Sequence, residues 1–230
     1  MKAALSSRLL AEFVGTSMLL AVVVGSGHMG EVLAQGNAAI ALLANSIATG
    51  LILYVLITIF APISGAHFNP AVSLALALYR AIRWRELLAY VPVQVAGAVA
   101  GVMLAHVMFG LDPVALGVKA RSGPGIWLSE AVATVGLLLT ILLGHRANTA
   151  EVPALVGAYI AAAYWFTAST AFANPAVAIA RAFTTTFAGI RPIDVPGFIA
   201  AELLGTLIAL PVAAVLAGRS RMGGLPSADR

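Results

Sequence analysis

The chain of 230 residues has no cysteine. Disulfide scaffolds, thiolate-held iron–sulfur clusters and thiol nucleophiles are therefore excluded. Charge is also scarce: 10% of the residues are charged and 61% are hydrophobic. A soluble domain carries about 25% charged residues, so the chain reads as an integral membrane protein embedded in a lipid bilayer. Aromatics make up 7%, and no basic run is interleaved with them. The net charge of +4 thus describes topology better than a nucleic-acid surface, and no nucleic-acid partner is expected. His106 and His145 have no partners at metal-ligand spacing. No nucleophile, base and orienting group fall together in any loop, so neither an enzyme, a metal site nor a cofactor is expected.

What the chain does have is long apolar runs. Candidate spans are 8–27, 38–61, 86–108, 127–144, 152–168 and 196–217, and the length suits about six crossings of ~20 residues. The first run follows Lys2 and Arg8. Its length, and Glu12 within it, mark a retained span rather than a signal peptide. With six crossings, Lys2, Arg8, Arg80, Arg83, Arg85, Arg146, Arg219, Arg221 and Arg230 share one side. Lys119, Arg121, Arg181 and Arg191 share the other. The positive-inside rule then puts both termini in the cytoplasm.

Two shorter apolar pieces, 70–79 and 175–186, cannot cross a bilayer alone. Each follows the same tripeptide: Asn69-Pro70-Ala71 and Asn174-Pro175-Ala176. Asparagine is a favoured N-cap and proline a favoured first helical residue, so each copy reads as a helix start at membrane depth. Such a break is tolerated only where it is buried in protein or lines a water-filled cavity. The copies sit at matching places in two halves, 1–110 and 125–217, joined by a linker, 111–124, and followed by a polar tail, 218–230. Ala11-Glu12-Phe13-Val14-Gly15-Thr16 in one half answers Ser129-Glu130-Ala131-Val132-Ala133-Thr134 in the other. Gln94-x-x-Gly97-Ala98 answers Glu202-x-x-Gly205-Thr206. Three spans per half is an odd number, so the halves are inverted relative to each other, a plan that places a solute site between them. The small residues Gly97, Ala98, Gly101 and Gly205 suit close helix crossing.

These motifs, with Ser64-Gly65-Ala66-His67-Phe68-Asn69-Pro70-Ala71-Val72 the most specific, resemble the aquaporin and aquaglyceroporin superfamily of channels along essentially the whole chain. The resemblance implies an all-α membrane fold of six tilted helices with two re-entrant half-helices meeting at mid-membrane. It also implies a homotetramer, a bacterial inner (plasma) membrane, and a pore in which the amides of Asn69 and Asn174 donate hydrogen bonds to passing solute. Two converging helix N-termini would repel cations.

Glu12 and Glu130 are carboxylates in apolar spans, where charge is costly. Either they relay protons or ions, or they accept backbone N–H bonds from the re-entrant loops, with His67 as a further loop support. The chain departs from the family where an arginine follows the second Asn-Pro-Ala; here that residue is Val177. The other filter positions fall on Thr49, Ala171 and either Ala162 or Tyr164. Arg181, one turn beyond Val177, sits in the outer vestibule or ties to backbone carbonyls or a lipid headgroup. The expected function is a passive channel for small neutral solutes: glycerol, urea, trihydroxy metalloid acids such as arsenous acid, and water. The lost arginine is also similar to a divergent bacterial branch associated with arsenic detoxification. The alternatives are an ion-coupled secondary transporter using Glu12 and Glu130, and a non-conducting membrane scaffold.

Overall fold

The computed structural model describes residues 3–218. Lys2, Arg219, Arg221, Arg230 and all but the first residue of the expected polar tail lie outside them. Eight α-helices follow in order. They are α1 (Leu5–Leu33), α2 (Ala38–Ser64), α3 (Pro70–Leu78), α4 (Trp84–Met108), α5 (Pro124–Asn148), α6 (Val152–Phe166), α7 (Pro175–Ala180) and α8 (Val195–Ala217). Three-residue 3₁₀ turns occupy Thr149–Glu151, Arg181–Phe183 and Pro192–Asp194, and no strand occurs among the described residues. Five continuous helical runs are long and apolar enough to cross a membrane, and one of them, Pro124–Phe166, folds back at the first 3₁₀ turn into α5 and α6. The result is six long helices and two short ones.

The long helices pack in two sets of three. Helix α1 lies against α2 and α4; α5 lies against α6 and α8; α2 and α6 join the halves. The crossings rest on absent side chains. A Cβ on Gly97 of α4 would sit 2.5 Å from the carbonyl oxygen of Phe13, and one on Gly205 of α8 would sit 2.6 Å from that of Ala131. Phe13 and Ala131 each follow the glutamate of their half, so one crossing is built twice. Ala98 and Gly101 lie in the same buried seam of α4. Between the halves, Gly50 and Gly157 face each other, with a Cβ on Gly157 only 2.5 Å from the Gly50 oxygen. Small residues at such contacts let backbones approach in a bilayer, where lipid tails are as apolar as leucine. The large apolar side chains point outward instead, among them Leu51, Leu88, Val107, Leu128 and Val215.

The second half-helix is shorter than expected. Helix α7 ends at Ala180, and residues 181–183 tighten into a 3₁₀ turn. The cause lies in Thr184-Thr185-Thr186. The Thr184 hydroxyl accepts the Thr186 N–H at 3.2 Å, a local bond that competes with helix, and β-branched residues add a propensity penalty. Helix α1, by contrast, runs well past residue 27, because Gly25, Gly27 and Gly30 are buried against neighbouring elements rather than marking a loop.

Candidate functional site

Both tripeptides end a turn with the same backbone. Ala66 and Phe68 have φ of 51° and 49°; at the matching places Ala171 and Ala173 both have 47°. A left-handed conformation costs an L-residue about 1–2 kcal/mol, so four of them need outside support. The buried glutamates supply it. Glu12 accepts the His67 N–H (3.0 Å) and Ser64 hydroxyl (2.7 Å) on Oε1, and the Phe68 N–H (2.7 Å) and Gln94 amide (2.9 Å) on Oε2. Glu130 accepts the Phe172 N–H on Oε1 (2.9 Å) and the Ala173 N–H on Oε2 (2.7 Å). Both glutamates are fully buried. His67 also shares a 2.9 Å hydrogen bond between Nδ1 and the Ser73 hydroxyl and packs edge-on to Tyr90. Tyr90 donates to the Ser64 carbonyl at 2.8 Å and accepts from Arg8 Nε at 2.9 Å. The halves differ in bulk. Phe68 lies where a Cβ on Gly15 would be, whereas the equivalent pair is Ala173 and Ala133.

Each tripeptide then starts its helix as the cap rules require. Asn69 Oδ1 accepts the Ala71 N–H at 2.8 Å, and Asn174 Oδ1 accepts those of Ala176 and Val177 at 3.0 and 3.4 Å. The amide nitrogens cross over. Asn69 Nδ2 donates to the Ala173 carbonyl (2.7 Å) and Asn174 Nδ2 to the Phe68 carbonyl (2.8 Å). An amide has two N–H hydrogens, so this reciprocal clasp leaves one on each side chain.

Both asparagines line one continuous cavity of about 140 Å³. It runs from His145 and Thr149, by the α5–α6 turn, to Tyr164 and Arg181 near the opposite end of α6. Between them the walls are largely apolar, with Leu53, Ile57, Val72, Leu137, Ile141 and Val156. No Asp or Glu lines it among the described residues; Glu12 and Glu130 sit behind the wall.

Of the candidate filter residues, Thr49, Ala171, Val177 and Tyr164 line the cavity together. The Thr49 and Tyr164 hydroxyls are 3.2 Å apart. Ala162 does not join them: it is exposed on the outer surface of α6, two residues from Tyr164 and so on a different helix face. Arg181 is 2% exposed, which excludes a lipid headgroup as its partner. Its Nε donates to the Ala188 carbonyl, its guanidinium lies 3.5 Å from the Phe172 ring centroid, and it lines the cavity.

Two buried residues that hold the backbone around the cavity escaped sequence reasoning. Arg121, in the linker, is buried. It donates to the carbonyls of Gly189 (3.0 Å), Ser169 (3.3 Å) and Phe187 (3.4 Å), stapling the linker over the 184–190 turn. Asp194 accepts the Arg121 N–H at 2.7 Å and pairs with Arg191. The second is Glu202, whose Oε1 accepts the Asn174 N–H at 2.9 Å. The Gln94–Glu202 match in the repeat was its available signal.

A family profile described as major intrinsic protein matches residues 1–166. Aquaglyceroporin AqpS of Rhizobium meliloti (strain 1021) is 60% identical over 206 residues, covering 90% of this chain and 88% of that protein. The propanediol uptake facilitator PduF of Citrobacter freundii is 36% identical over 110 residues, 48% of this chain and 40% of that protein. The X-ray structure of the aquaglyceroporin from Plasmodium falciparum superposes with a TM-score of 0.72 over 92% of this chain and 100% of that one. At 18% identity that likeness speaks to the fold alone. The paired half-helices, the profile match and the extended identity to AqpS agree: the chain belongs to the major intrinsic protein family, an integral membrane family of channels and not of enzymes.

Proposed function

We propose that this protein is a passive channel for small neutral solutes, with glycerol-type polyols, urea and trihydroxy metalloid acids as its solute class and water sharing the path. The observation that carries the reading is the pair of clasped asparagine amides in the wall of one cavity that no carboxylate lines among the described residues. A neutral hydroxylated solute finds hydrogen-bond donors there. A cation finds no counter-charge, and it meets Arg181 as well as the positive ends of α3 and α7. The names of AqpS and PduF, an aquaglyceroporin and a propanediol facilitator, support polyols. An ion-coupled transporter is not favoured, because Glu12 and Glu130 are sealed from the cavity with both oxygens of each already accepting hydrogen bonds. A closed scaffold is not favoured, because AqpS, 60% identical, is named an aquaglyceroporin. Homotetrameric assembly in a bacterial inner membrane, with both termini cytoplasmic, belongs to the same reading.

Within it, Thr49, Tyr164, Ala171 and Val177 form an uncharged filter, wider than one with arginine at 177. Replacing Val177 with Arg adds several heavy atoms, five N–H donors and a fixed charge to a cavity that already holds Arg181 one turn away. Val177→Arg is expected to reduce glycerol and arsenous acid flux sharply while sparing water. Reswelling and shrinkage rates of proteoliposomes, normalised to inserted protein, measure this. An unchanged or higher ratio of solute to water flux would remove Val177 from the filter.

A further inference from the structure

A third buried glutamate stands behind the second tripeptide. Glu202 is fully buried on α8. Its Oε1 accepts the Asn174 N–H, while its Oε2, equally buried, has no hydrogen-bond partner. Its neighbour is Glu130 on α5: the two carboxyl groups accept the N–H groups of consecutive residues, Asn174 and Ala173. Both Glu130 oxygens accept backbone N–H groups. The repeat supplies the comparison. At the position of Glu202 the first half has Gln94, whose Nε2 donates to Glu12 Oε2 at 2.9 Å. The first half therefore pairs a carboxylate with an amide donor; the second pairs a carboxylate with another carboxyl group.

Two adjacent carboxylates in a buried site cannot both ionise. Three backbone N–H groups serve the pair; Arg121 and Arg181, the cations whose charge reaches Glu130, donate to backbone carbonyls and not to either carboxylate. One proton must therefore be held between them. Its place follows from the hydrogen bonds. On Glu130 a proton would compete with two N–H donors that hold strained backbone. On Glu202 Oε2 it displaces nothing, and it converts an orphaned acceptor into a donor. We propose that Glu202 is kept as a neutral carboxylic acid that donates from Oε2 to Glu130 while accepting the Asn174 N–H on Oε1, making it a positioning residue that gives Glu130 the donor that the Gln94 amide gives Glu12.

The role concerns Asn174. Its N–H is fixed by Glu202, its Oδ1 caps α7 and its Nδ2 clasps Phe68. Losing the acid frees one anchor of a residue in the cavity wall and leaves Glu130 short of a donor. A glutamine at 202 supplies the same donor and the same acceptor, with no proton to lose.

The test is infrared difference spectroscopy at neutral pH on the full-length protein in lipid, wild type minus Glu202→Gln. It is expected to show the carbonyl stretch of a protonated carboxylic acid, lost in the variant. Glu202→Gln is also expected to keep the wild-type unfolding temperature and water flux, whereas Glu202→Leu, with neither donor nor acceptor, lowers both, the first by several degrees. A difference spectrum without that band overturns the proposal, as does a Glu202→Gln protein as unstable as Glu202→Leu. The band does not depend on any solute, so the proposal can fail while the channel reading stands, and the reverse.

Discussion

Asn174 does three things at once. It caps α7, donates one amide hydrogen to Phe68 and leaves the other facing the cavity. Asparagine meets all three demands, and aspartate meets only the first. Asn174→Asp keeps the cap, removes the clasp and the donor, and places a negative charge where a neutral solute needs an N–H. The expected result is slower glycerol flux together with a cation leak, read by reswelling and by a cation-sensitive dye inside the same liposomes. Unchanged flux without a leak would reduce Asn174 to a helix cap. The cap and the proline behind it were legible in the sequence, since both are local preferences of a helix start. The clasp was not, because it joins residues 104 and 106 positions apart, and no local spacing encodes such a partner. The choice between Ala162 and Tyr164 was likewise open, because two countings of the loop differed. The α6 backbone turns Ala162 outward and Tyr164 toward the cavity.

At the scale of elements, each re-entrant turn is held by a glutamate from the first helix of its half. The intramembrane position of Glu12 and Glu130 was visible, and their duplication hinted at a structural duty. Four N–H groups from residues 67, 68, 172 and 173 on the two carboxylates give that duty its geometry. Glutamine is a poor substitute at 12, in contrast to 202. One side of its amide still accepts from His67 and Ser64, but the other presents hydrogens to the Phe68 N–H and the Gln94 amide, which are themselves donors. Glu12→Gln is therefore expected to destabilise by about 1–3 kcal/mol, the cost of a buried unsatisfied donor, with flux through the assembled protein retained. Thermal unfolding and flux on one preparation check this. A fully stable but inactive Glu12→Gln protein would favour a proton relay instead. The end of α7 was less legible than its start: the apolar run continued through Ala182 and Phe183, and the Thr184 hydroxyl that stops it acts by a bond the hydropathy pattern does not carry. Arg121 went unread for a related reason, since its carbonyl partners lie in an irregular turn with no period to detect.

Across the whole molecule, the fold is one plan used twice. Glutamate on the first helix of a half, a left-handed turn, an asparagine cap and glycine on the third long helix recur in the same order, and the two copies meet at the asparagines. Small residues hold the helices together, large apolar ones face outward, and the polar groups converge on a single path. The central claim is that this path conducts neutral solutes passively. Stopped-flow reswelling of proteoliposomes in neutral osmolytes of increasing size, each at several concentrations and with and without a proton ionophore, tests it most directly. Glycerol and urea are expected to enter at rates that rise in proportion to the gradient, stay the same with the ionophore, and fall off for larger solutes at a size cut-off. Rates that saturate with solute, or that vanish when the proton gradient is collapsed, would contradict it.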